Sequence, residues 1–206
     1  NSASAIMRLN DFDLLKVIHP SITLDKIFIA FLKSVKEVLS WHDLLFLDES
    51  YKKWIVFFLV LINQCNAKRT QKICRRFELA PDLIKIFCTE RFEADGCANW
   101  LERNLPVSDS VLFRKLTGFR IELILYMMAT ARQQTVKKSI SHFFTDLRRT
   151  GLSLKGRDLK KMQLKPGPIY RQVLGAVLDA KLDGKLKTKE DEIAFARHYV
   201  ETHRHA

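Results

Sequence analysis

Glycine and proline are scarce in this chain of 206 residues, at seven and five. An all-β protein needs a turn about every ten residues, and so few turn formers cannot supply one. Long apolar runs are missing as well. The longest, Trp54 to Ile62, is nine residues, about half of what a membrane-spanning helix needs, so no membrane partner is expected. No charged-then-apolar signal peptide is recognised at the start. Cysteine is confined to positions 65, 74, 88 and 97 with no Cys-x-x-Cys pair. That pattern reads as reduced core thiols in a cytoplasmic protein.

Catalytic groupings are equally sparse. Asp11-Phe12-Asp13 has the spacing of a metal-binding carboxylate pair, but it lies in a helical pattern with no strand or glycine loop before it. His42-Asp43 lacks the further His and Asp ligands of a metal phosphohydrolase and reads as a histidine on a helix surface. His198, His203 and His205 crowd a terminus that reads as frayed. No Ser-His-Asp or Cys-His grouping stands out. The expectation is no catalytic residue, no metal ligand and no cofactor site in this chain.

What the chain does have is helical spacing. Leu9, Phe12, Leu15 and Ile18 form a first stripe, closed by His19-Pro20, and Thr23 is read as the cap of a helix burying Ile27, Phe31, Val35, Val38 and Leu39. Trp54 to Ile62 is apolar all round and predicts a buried helix. Pro81 suits a first helical position, Ser108 caps Val111 to Leu116, and Ile121 to Ala131 is a second strongly apolar helix. No strand pattern and no constant-period repeat is found. The predicted fold is all-α, a multi-helix body followed by a smaller helical tail.

It also has charge of one sign in one place. The formal net charge is +12. Residues 1–136 hold 19 Lys and Arg against 15 Asp and Glu, whereas residues 137–189 hold 14 against 4. A solvated helix face normally mixes both signs, and a one-sign block points to a polyanion, most often nucleic acid. The division is therefore read as a body over residues 1–134 and a basic, nucleic-acid-binding tail over residues 135–206.

Within the tail, Val136, Ile140, Phe143, Phe144 and Leu147 follow helical spacing. Lys137 and Arg148, like Lys138 and Arg149, are eleven residues apart, close to three turns, and so predict a cationic stripe along one helix. Further on, Lys155, Gly156, Arg157, Lys160 and Lys161 lead into Lys165-Pro166-Gly167-Pro168. Pro168 suits the first helical position, and Gly167 leaves the cap without a side chain. The amides of Ile169, Tyr170 and Arg171 would then face an anion at the positive end of a helix, with Tyr170 able to stack on a base. Thr188-x-x-Asp191 predicts a capping box for the last helix.

The segment GRDLKKMQLKPGPIYRQVLGAVLDAKLDGKLKT resembles the C-terminal tail of the bacterial tRNA nucleotidyltransferase / poly(A) polymerase family, through Gly156, Asp158, Leu159, Pro166, Gly167, Pro168 and Gly184. DFDLLKVIHPSI, WHDLLFLDE and FRIELILYMMATA resemble body helices of longer members. The resemblance implies tRNA as partner. It implies a catalytic head, outside this chain, that uses Mg2+ with ATP or CTP. The choice between adding CCA, a terminal A or poly(A) would be made in that head and the adjoining neck. Two other readings stay open at this point. Leu-x-Pro-Gly-Pro-Ile between helices imitates a helix-hairpin-helix DNA-binding module, and the weakly charged body suits a helical homo-oligomerisation domain.

Overall fold

Helices make up every regular element among the described residues of this computed structural model, which covers residues 2–12, 14–20, 22, 25–162, 164 and 167–203. In chain order they are α1 (Ser2–Asp11), α2 (Leu14–Ile18), α3 (Lys26–Asp43), α4 (Lys53–Leu61), α5 (Ala67–Arg76) and α6 (Pro81–Lys85). A π-helical stretch, Ile86–Glu90, leads into α7 (Arg91–Asn104), α8 (Asp109–Leu116), α9 (Ile121–Thr130) and α10 (Gln134–Thr145). A 3-10 turn, Leu147–Arg149, precedes α11 (Gly156–Lys161), α12 (Pro168–Leu182) and α13 (Lys189–His203). The all-α expectation holds.

Packing divides the chain into one compact unit of Asn1–Leu105 with Gly118–Ile140 and another of Pro106–Thr117 with Ser141–Ala206. Charge alone draws a different line, at 134/135, because it marks surface and not core. By packing, α8 goes with the second unit, where it lies against α12.

In the first unit α3, α4 and α9 pack on one another. From Ile121 to Ala129 every residue except Glu122 is buried, and α4 buries Ile55, Val56, Phe57, Leu59, Val60 and Leu61. Trp54, at the start of that run, is instead 42% exposed. A buried cation braces this core. Arg91, 1% exposed, donates to the carbonyls of Cys65 (2.7 Å) and Asn63 (3.2 Å) just beyond the C-terminus of α4. It also reaches Asp95 at 3.4 Å, and Asp95 accepts from the Tyr126 hydroxyl at 2.7 Å.

Several local expectations are corrected. The first stripe is not one helix: the chain breaks between α1 and α2, and Phe12 at the break is 72% exposed. The buried face of α3 is Phe28, Leu32, Val35, Val38, Leu39 and His42, so Ile27 faces solvent. Asp25 caps α3 by accepting from the Phe28 N–H at 2.7 Å, and the expected cap, Thr23, lies outside the described residues. His42 is buried, its ring edge-on to Tyr51 at 4.9 Å, because the stripe through Val35, Val38 and Leu39 carries it inward.

Candidate nucleic-acid interface

The second unit is organised around Leu154, Leu159, Leu164, Val173, Val177, Ala180, Leu186, Ala196 and Val200. Its basic segment is held from below by one buried carboxylate. Glu192, in the first turn of α13 and 1% exposed, accepts from the Leu154 N–H and from the Lys181 ammonium, both at 2.7 Å. Lys181 also donates to the Gly151 carbonyl at 2.7 Å. The strand of chain entering α11 is thereby tied to α12 and α13. The capping box expected at Thr188 and Asp191 is present, with reciprocal bonds of 2.9 and 3.1 Å.

α11 is short and two-faced. Asp158 and Leu159 are buried, while Arg157, Lys160 and Lys161, at i, i+3 and i+4, are exposed on the other side. Asp158 accepts from the Lys155 N–H at 3.0 Å and has Lys189 at 3.7 Å. That backbone bond chiefly, and then the charges of Lys189, Arg157 and Lys161, hold its carboxyl below the usual value.

The N-terminus of α11 touches the first turn of α12. A Cβ on Gly156 would lie 3.8 Å from the Tyr170 ring. The Tyr170 hydroxyl donates to the Leu164 carbonyl at 3.1 Å, and the ring packs against the core. Tyr170 is thus placed as a brace between Leu164 and the start of α12, while its neighbour Arg171 is exposed. Arg157, Lys160, Lys161 and Arg171 form no salt bridge among the described residues. Other cations of this unit are neutralised at short range: Arg114 by Asp179, Lys181 by Glu192, Lys189 by Asp158.

Pro168 takes the first helical position of α12, as expected. Gly167 is extended, with φ at 165°, a backbone any residue adopts, so no strain demands glycine there. Of the three amides left open by the sequence, that of Tyr170 donates to the Gly167 carbonyl at 3.0 Å. Lys165 and Pro166 lie outside the described residues.

The eleven-residue stripe is not formed, because α10 stops at Thr145 and Arg148 and Arg149 fall in the 3-10 turn. Lys137 and Lys138 belong to the first unit; Lys137 is half-buried and donates to the Ser34 hydroxyl at 3.4 Å, and Lys138 is exposed. Arg148 is half-buried, its guanidinium 5.5 Å from the Phe144 ring centre and 6.0 Å from that of Phe143. Lys155 and Arg149 are exposed.

Sequence reasoning missed a feature beside Arg171. An open cleft of about 490 Å³ runs along α12, lined among others by Arg114, Arg171, Gln172, Gly175, Asp179 and Tyr199. Its signal in the sequence was the small pair Gly175-Ala176 in the middle of α12.

No protein-family model matches the chain. It is 31% identical over 196 residues to the A-adding tRNA nucleotidyltransferase of Geobacter sulfurreducens, a match covering 93% of this chain and 22% of that protein. The Thermotoga maritima CCA-adding enzyme, solved in complex with tRNA, superposes with a TM-score of 0.73 at 18% identity, over 97% of this chain and 48% of that one. A CCA-adding enzyme with CTP gives 0.74 at 18% identity, over 98% and 47%. The structural likenesses show the fold, and the chain spans about a fifth of the curated relative's length. By sequence and by fold, this chain resembles the body and tail of the bacterial tRNA nucleotidyltransferase / poly(A) polymerase family, of whose members it spans a part.

Proposed function

We propose that this chain is the tRNA-binding body and tail of a cytoplasmic tRNA nucleotidyltransferase, holding the substrate while a separate head adds nucleotides to its 3′ end. The single observation that carries this reading is α11, which buries its one carboxylate and presents Arg157, Lys160 and Lys161 exposed and with no salt bridge among the described residues, on a helix whose start touches the first turn of α12, where Arg171 is also exposed. A-form RNA is recognised mainly by shape and backbone, so exposed cations on α11 and the first turn of α12 suit that partner. The name of the curated relative supports the choice of tRNA. Arg149, Lys155 and Lys165 join the proposed contact set as secondary members, and Lys137 and Lys138 are proposed as further contacts on the first unit by itself.

Among the described residues no three His, Cys, Asp or Glu side chains stand together as a metal site. The Mg2+ and the ATP or CTP implied by the resemblance are proposed for the head, and no step of the chemistry is assigned to residues of this chain. No described helix is long and apolar enough to cross a membrane.

Competition at fixed salt tests the reading against its rivals. Unlabelled tRNA should displace bound labelled tRNA far more effectively than duplex DNA of equal length. Equal displacement by the duplex would favour the helix-hairpin-helix alternative. Self-association without nucleic-acid binding would favour an oligomerisation domain.

A further inference from the structure

We infer that Cys74 and Cys88 form a reversible thiol–disulfide modification site in the first unit, open to low-molecular-weight disulfides of the glutathione class. Cys74 lies near the end of α5 and is fully buried. Cys88 is at the middle of the π-helical stretch and half-buried. Their Sγ atoms are 3.8 Å apart, in S–H···S contact. A disulfide bond is about 2.05 Å long, so the two sulfurs must close by less than 2 Å, roughly the reach of a side-chain rotation.

The local backbone explains why these two thiols meet. A π turn holds an extra residue and rotates the downstream residues by about 100° relative to an unbroken α-helix, and such turns recur at functional sites. Here the widened turn packs against α5, with Ile86 and Phe87 buried and Cys88 left partly open to solvent. The remaining cysteines, Cys65 and Cys97, are buried.

Access assigns the roles. The Cys88 thiolate attacks one sulfur of the external disulfide, forming a mixed disulfide and releasing one thiolate. Cys74 then gives its proton to water, and its thiolate attacks Cys88 Sγ. The Cys74–Cys88 bond forms and the second external thiolate leaves. Two protein thiols are oxidised, and one external disulfide is reduced to two thiolates, which take up the two released protons by way of solvent and become two thiols. Burial foremost, and then the neighbouring Cys88, push the Cys74 thiol up to about 12. Closure should therefore be the slow step, faster at higher pH.

The test treats the folded 206-residue chain with oxidised glutathione, then counts alkylatable thiols and measures intact mass. The expected product has lost two hydrogens and two of four thiols, keeps its helical signal, melts at a higher temperature, and returns to the starting state with dithiothreitol. Peptide mapping should place the bond between Cys74 and Cys88. Cys74→Ser should instead hold one glutathionyl group on Cys88. A natural chain that accumulates the glutathionyl adduct without closing, or that forms the bond only after unfolding, would overturn the proposal.

Discussion

Lys181 and Glu192 meet at 2.7 Å inside the second unit, and the same carboxylate accepts the Leu154 N–H on its other oxygen. One ion pair thus joins α12, α13 and the segment that leads into α11. Removing one partner of such a pair leaves the other charge buried and uncompensated, at a cost of about 3 kcal/mol or more. Lys181→Met should therefore lower stability by that order in urea denaturation. The double substitution Lys181→Met with Glu192→Gln, which removes the orphaned charge and keeps an acceptor for the Leu154 N–H, should recover much of the loss.

His142 is held between two carboxylates, Nε2 at 3.1 Å from Asp109 and Nδ1 at 3.0 Å from Asp146. Burial opposes the charged ring, but the hydrogen bonds to Asp109 and Asp146 and their charges outweigh it, and the pKa lies above its ordinary 6.5. A group whose folded pKa is raised contributes stability in full below the unfolded value and loses it as pH rises through the folded value. Stability should fall as pH is raised from about 6 through the His142 titration. In His142→Gln that slope should be absent, as read from melting temperatures across the range.

The Tyr170 hydroxyl braces the start of α12 in a way a phenyl ring cannot. Tyr170→Phe deletes the hydroxyl that donates to the Leu164 carbonyl but keeps the ring beside Gly156. A loss of about 1 kcal/mol in stability is expected, with tRNA affinity little changed once the chain is folded. Calorimetry and filter binding on the same preparation check both.

The readable parts of this fold are those written within a few residues. Thr188 and Asp191, three apart, form the cap that their spacing predicts, and Pro81 and Pro168 open helices because a first position needs no N–H. What the sequence hid depends on distant partners. His42 is buried because Tyr51 and the rest of the α3 face enclose it. The inward turn of Glu192 depends on Lys181 and Leu154. The stripe from Lys137 to Arg149 assumed an unbroken helix, whereas the chain turns after Thr145. In the basic block, composition located the charge. It could not say which cations stay open and which, like Lys181 and Lys189, are paired.

The central claim is that the open cations of α11 and of the first turn of α12 hold the phosphates of tRNA. The most direct measurement is the salt dependence of tRNA affinity for the natural chain and for Arg157→Glu, Lys160→Glu, Lys161→Glu combined. About six phosphate contacts, four from Arg157, Lys160, Lys161 and Arg171 and the rest from the secondary members of the set, give the natural chain a slope of roughly −4 to −5 in log K against log salt. The triple variant should bind at least tenfold more weakly with a shallower slope, at unchanged helical signal. A slope near zero for the natural chain, or an unchanged affinity in a folded triple variant, would contradict the account.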